Sequence, residues 1–144
     1  ALAAKAAGMT VHAIDTAPRM VERLAGKLDK VEIADLETFQ PSHLYDRVVC
    51  SGVLEFVSDP EGAFGKLCRL VAPNGRLIVL APRRGIGGTY YRLEKWYLAK
   101  LRINLYDLRW FVRLAEQYQL RLIEWAHPLP TNLVVVFERQ PLCA

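Results

Sequence analysis

Asp15, Asp35 and Ser51 each stand at or just past the end of a short run of β-favouring residues, at 10–14, 31–34 and 47–51. In an open α/β sheet, ligands bind beyond the carboxyl ends of the strands. The three polar residues are therefore expected along one rim. A carboxylate ending the strand before a helix can accept both hydroxyls of a ribose. The same Asp15 could instead cap the helix that Pro18 opens, and position alone leaves both readings standing. Glu55, His127, Tyr90 and Tyr91 are the other groups near that rim able to hold or pass on a proton. His127 follows a strand that ends on the ligand side, although a histidine in a solvent-facing turn is the plainer reading. Cys50, Cys68 and Cys143 are odd in number and show no Cys-x-x-Cys spacing, so neither a disulfide framework, a zinc site nor any other metal is expected. A reducing, cytoplasmic compartment is the matching expectation.

These side chains need elements to hold them. Residues 1–8 read as a helix entered partway, with no secretory leader. After the strand at 10–14, Pro18 opens a helix whose Met20, Val21, Leu24 and Leu28 recur at helical spacing. Residues 31–34 form a second strand. Residues 47–51 form a third, expected to be buried because its apolar character is continuous. Ser58 and Asp59 are cap candidates before Pro60, and Ala63, Phe64, Leu67, Leu70 and Val71 stripe the following helix. Pro73, Asn74 and Gly75 make its exit turn, and 76–81 is a fourth strand. Gly85, Gly87 and Gly88 are expected to loosen the chain before an aromatic, basic helix at 90–101, and another helix covers 106–118. The last strands, 120–126 and 133–138, are separated by too few residues for a parallel crossover, so as neighbours they must pair antiparallel. The alternation predicts a doubly wound, mostly parallel α/β sheet with an antiparallel C-terminal strand.

At 144 residues the chain has material for a single domain, 1–144. Hydrophobic residues at 52% and charged ones at 24% describe a folded chain, not a disordered one. The longest apolar runs, 77–81 and 133–137, fall far short of the ~20 residues that span a bilayer. Net charge is +4, but residues 83–121 hold nine basic against three acidic residues. Such an asymmetry points to one basic surface and a partner for it.

Read in order, five segments resemble the class I S-adenosylmethionine-dependent methyltransferases. They are residues 11–20 (Val-His-Ala-Ile-Asp-Thr-Ala-Pro-Arg-Met), Asp35-Leu36, residues 45–49 (Tyr-Asp-Arg-Val-Val), residues 54–57 (Leu-Glu-Phe-Val) with Asp59-Pro60, and residues 69–77 (Arg-Leu-Val-Ala-Pro-Asn-Gly-Arg-Leu). The resemblance covers residues 1–82 well and the remainder in topology. It implies a Rossmann-like fold, S-adenosyl-L-methionine as cofactor and a small-molecule methyl acceptor. Carried over by position, Asp15 binds the ribose, Thr16 and Met20 line the adenosine, Asp35 binds the adenine amino group and Leu36 stacks beside it. Ser51, Gly52 and Val53 border the methionine portion. The plain alternatives are core packing for Met20, loop packing for Leu36 and a bend for Gly52. Ala17 stands where the family often has serine. Phe56 stands where it often has histidine, which removes the most obvious general base.

The strand order implied by the resemblance is 3-2-1-4-5-7-6. Its first strand and the glycine-rich loop that meets the cofactor's methionine end are expected before Ala1, so residues 1–144 alone are expected to be inactive. Residues 83–105 are expected to act as a lid, with Tyr90, Leu93, Trp96, Tyr97 and Leu101 as an apolar side and Arg92, Lys95, Lys100 and Arg102 as its charge. That combination favours an acidic or lipid-like acceptor and allows peripheral membrane contact through the basic aromatic helix. Two other readings compete. The spacing of Tyr91 and Lys95 matches the Tyr-x-x-x-Lys of short-chain dehydrogenases, which would make the chain an NAD(P)-binding oxidoreductase, but no serine stands about a dozen residues upstream. The alternative is a non-enzymatic binding module with a basic helix. No recognition motif supports a specific nucleic acid, because basic charge alone gives nonspecific affinity.

Overall fold

Pro18, Pro60 and Gly85 stand at the starts of three helices in the computed structural model, which describes residues 1–100 and 102–141. The chain divides into two compact units, Ala1–Gln40 and Pro41–Ala144. The first holds α1 (Leu2–Ala6), β1 (His12–Asp15), α2 (Pro18–Leu24) and β2 (Lys30–Ile33). β1 and β2 pair in parallel, with Asp15 opposite Ile33. Pro18 sits in the first turn of α2, where its missing N–H costs no hydrogen bond. The helix stops sooner than the apolar spacing predicts. Ala25 turns to an extended ψ of 132° and Gly26 takes a φ of +73°, so Leu28 lies past the helix, buried in the following turn.

The second unit holds β3 (Tyr45–Ser51), α3 (Pro60–Leu70), β4 (Val71–Pro82), α4 (Ile86–Ala99), α5 (Leu108–Gln117), β5 (Leu120–Ala126) and β6 (Asn132–Arg139). Its sheet has the order β3-β4-β6-β5, with β3 parallel to β4 and β6 antiparallel to both β4 and β5. The C-terminal hairpin is antiparallel, as its short connection requires. The strand neighbours within both sheets are those of the implied order, and β1 and β3 are each an edge strand. Asp59 caps α3 by accepting from the Gly62 N–H at 3.0 Å, and Asp107 caps α5 by accepting from the Trp110 N–H at 2.9 Å.

One face of this sheet carries the core. Val48, Leu77 and Phe137 lie side by side in register and are buried, as are Cys50, Val79 and Val135 in the next row. Phe64 of α3 and Phe111 of α5, both fully buried, pack edge to face with ring centroids 5.3 Å apart, and Phe64 reaches Phe137 at 6.1 Å. The expectation that β3 is buried throughout is corrected here. Its burial alternates and Val49 is 67% exposed, because α3 and α5 build their core on the opposite face.

The glycines after β4 also differ from expectation. Gly87 and Gly88 belong to the first turn of α4 and are packed, not loose. A Cβ on Gly88 would overlap the Arg83 carbonyl oxygen, and one on Gly87 would lie 2.9 Å from the Pro130 carbonyl oxygen. Their missing side chains let the helix start lie against both loops. Leu101 and Cys143, both named in the sequence reading, lie outside the described residues. Among the described residues no helix is long and apolar enough to cross a membrane.

Candidate functional site

In the first unit, parallel pairing brings Asp15 and Asp35 to neighbouring strand ends. The Ala34 N–H donates to the Asp15 carbonyl at 3.2 Å, which carries β2 past Ile33 to Asp35. Both carboxylates close the same kind of turn. Asp15 Oδ1 accepts from the Ala17 N–H at 2.8 Å, and Asp35 Oδ1 accepts from the Glu37 N–H at 2.7 Å. Among the described residues the second oxygen of each has no partner and can accept from a ligand. The two readings of Asp15 thus coexist: one oxygen orders the entry to α2 and the other is open. Thr16 is exposed, and Met20 at 41% exposure is not a core residue. Leu36 is buried, at 6% exposure.

In the second unit, Ser51 ends β3, Gly52 and Val53 follow it, and all three are exposed. Gly52 takes a φ of +68° while its N–H donates to the Leu80 carbonyl at 3.3 Å, so the chain bends sharply off the sheet. That conformation strains any residue with a Cβ. Leu54 and Glu55 then turn inward, at 1% and 6% exposure. Their loop is clamped from the segment before α5. The Asn104 N–H donates to the Glu55 carbonyl at 2.9 Å, Asn104 Nδ2 donates to the Val57 carbonyl at 3.1 Å, and the Tyr106 hydroxyl donates to the Leu54 carbonyl at 2.6 Å. Burial pushes the Tyr106 hydroxyl above the ordinary tyrosine range, so it stays a donor.

Of the proton-transfer candidates, the fold brings Glu55 to Tyr91 and not to Tyr90 or His127. The Tyr91 hydroxyl donates to Glu55 Oε1 at 3.3 Å, and Lys95 Nζ lies 5.2 Å from the centre of the Tyr91 ring. Burial raises the Glu55 carboxyl above its usual range, while the Tyr91 hydrogen bond and the Lys95 charge act the other way. Tyr90, one helical step from Tyr91, is 70% exposed. His127 is exposed after β5, with Nδ1 3.3 Å from the Asn132 carbonyl oxygen. Two strands separate β5 from β3, so at about 4.8 Å per strand His127 lies roughly 14 Å across the sheet from Ser51. Cys50 is buried beneath this rim and burial pushes its thiol up to about 11, which keeps it protonated and unreactive. No group of metal-ligating side chains forms among the described residues.

Asn104 and Tyr106 escaped the sequence reading. Their signal was present: the alternation of Ile103 and Leu105 with Asn104 and Tyr106 just after a helix places two hydrogen-bonding groups in an apolar setting.

Parallel strands closed by acidic residues in the first unit, and a parallel strand pair followed by a tight glycine bend in the second, are features of α/β folds that bind ligands beyond their strand ends. Residues 1–124 match the family model of the methyltransferase domain, and the chain belongs to that family. The family membership speaks against the oxidoreductase reading. Among curated proteins, none matches in sequence. Among solved structures, the magnesium protoporphyrin IX methyltransferase of Synechocystis PCC 6803 with bound SAH is similar at 18% identity and a TM-score of 0.72, with 94% of this chain and 66% of that one covered. An N-methyltransferase of Bradyrhizobium japonicum in complex with S-adenosyl-L-homocysteine gives 18% identity and 0.65, covering 88% and 64%. A SAM-dependent methyltransferase of Corynebacterium glutamicum gives 18% and 0.62, covering 88% and 66%. The likeness is one of fold. The chain spans about two thirds of the length of these structures.

Proposed function

We propose that this chain serves a methyltransferase that uses S-adenosyl-L-methionine to methylate a small-molecule acceptor of acidic or lipid-like character. The observation that carries the cofactor reading is the pair of matched turns, in which Asp15 and Asp35 each keep one carboxylate oxygen open at adjoining strand ends. Asp15 accepts from the ribose hydroxyls and Asp35 from the adenine amino group. Thr16 and Met20 line the adenosine, with Leu36 beside it, and Ser51, Gly52 and Val53 border the methionine portion. When bound, the cofactor supplies a sulfonium-activated methyl group.

The chain's own residues then have to position the acceptor and receive any proton it loses. Alignment of nucleophile and methyl is worth up to ~7–11 kcal/mol, so no strong base is required. Glu55, held by Tyr91, is the group we assign to the acceptor's proton. Residues 83–105 flank the acceptor, with Tyr91 and Lys95 turned inward toward Glu55. Titration calorimetry with S-adenosyl-L-homocysteine tests the cofactor reading. Saturable binding by the chain, weakened at least tenfold in an Asp15→Asn, Asp35→Asn double variant, supports it. Equal binding by the two proteins overturns it.

A further inference from the structure

α4 leaves most of its apolar side chains open to solvent, Leu98 at 72% exposure among them. Gly88 is buried, and Gly87, Tyr91 and Lys95 are half-buried, so these residues mark its inner side. At 100° per residue, Ile86, Tyr90, Leu93 and Tyr97 fall on the opposite side. They are 95%, 70%, 58% and 72% exposed. Trp96, next to this stripe, is 52% exposed. The first turn packs on the Pro130 carbonyl, and Leu129 beside it is exposed as well. Scattered apolar residues on a surface need no explanation, but a continuous stripe along a whole helix does.

The charge around it narrows the occupant. Residues 83–102 hold six basic residues against Glu94 alone. Arg92, Lys100 and Arg102 are exposed, and Lys100 Nζ lies 5.1 Å from the Trp96 ring centre and 5.8 Å from that of Tyr97. A second copy of the chain docked stripe to stripe would oppose like charges. An anionic bilayer surface satisfies every feature at once: apolar side chains enter the acyl boundary, tyrosine and tryptophan sit at the headgroup level, and cations meet lipid phosphates.

We propose that the outward face of α4 docks on an anionic lipid surface, with Ile86, Tyr90, Leu93 and Tyr97 inserted and Arg92, Lys100 and Arg102 paired with headgroups. The proposal is independent of the cofactor reading, because it needs neither methyl transfer nor nucleotide. The inner side of the same helix carries Tyr91 to Glu55, so docking would place the acceptor side of the unit near the lipid.

Vesicle co-sedimentation tests it, using phosphatidylcholine vesicles with and without about one third phosphatidylserine. The chain is expected to sediment with the anionic vesicles and not with the neutral ones. An Arg92→Gln, Lys100→Gln, Arg102→Gln variant is expected to lose affinity by about fivefold per cation. A Tyr90→Ser, Leu93→Ser, Tyr97→Ser variant is expected to lose binding with an unchanged circular dichroism melt, since all three side chains are exposed. Failure of the parent chain to bind anionic vesicles, or undiminished binding by the serine variant, overturns the proposal. So does self-association in sedimentation velocity that the serine variant abolishes, because the stripe would then be an interface between copies.

Discussion

The Tyr91 hydroxyl donates to Glu55 Oε1 at 3.3 Å, tying α4 to the buried carboxylate that follows β3. The pair joins two segments 36 residues apart, and among the described residues Glu55 is the buried carboxylate.

Burial raises the Glu55 pKa, so the folded state holds this proton more tightly than the unfolded chain does. The sign follows from linkage: stability from this group is complete below the unfolded pKa and is lost as pH rises through the folded one. Glu55→Gln is expected to remove that loss. Urea titrations at about pH 4 and about pH 7 should show a smaller fall in stability between the two for the variant than for the parent chain. An identical fall would show that Glu55 does not titrate differently on folding.

Asp15 has a turn to close and an oxygen to offer, and two substitutions separate these tasks. Asp15→Asn keeps an oxygen for the Ala17 N–H but removes the charge, so thermal stability should hold while cofactor affinity drops by roughly 1.5–3 kcal/mol. Asp15→Ala loses both and should also melt earlier. Calorimetric titration combined with a melting curve reads the two effects, and unchanged affinity in Asp15→Asn would remove Asp15 from the ribose role.

Tyr106→Phe deletes the donor that meets the Leu54 carbonyl at 2.6 Å in a buried setting. The expected loss of stability is about 1–3 kcal/mol, the cost of leaving a buried carbonyl poorly satisfied. Hydrogen exchange should rise at the Leu54–Val57 loop more than at β6. A uniform rise would mean that the clamp has no local effect.

Gly88→Ala sets two terms against each other. Alanine favours a helix by about 1 kcal/mol, whereas overlap with the Arg83 carbonyl forces a backbone shift costing about 1–3 kcal/mol. The contact is with backbone and cannot rotate away, so net destabilisation is expected, measured as a lower urea midpoint. A higher midpoint would show that the start of α4 is free to move off Arg83.

Local chemistry decided much of this protein within the sequence. Pro18 and Pro60 open helices, and the few residues before Asn132 compel an antiparallel hairpin. Apolar runs ending in Asp15, Asp35 and Ser51 mark strand ends or the turns just past them, because strand and turn preferences act over a few residues. The order of the strands came from the family resemblance, not from any one residue. Only the tertiary structure decided which side of each element is packed. Periodicity says that Ile86, Tyr90, Leu93 and Tyr97 share a face of α4, but not that the face points outward. That choice rests on Gly87 and Gly88, whose missing side chains let the other side lie against Pro130 and Arg83. The same choice sends Tyr91 to Glu55 and Tyr90 to solvent, although they are neighbours in sequence. Val49 is exposed for the same kind of reason, since a strand's apolar character cannot tell which of its faces the helices will cover.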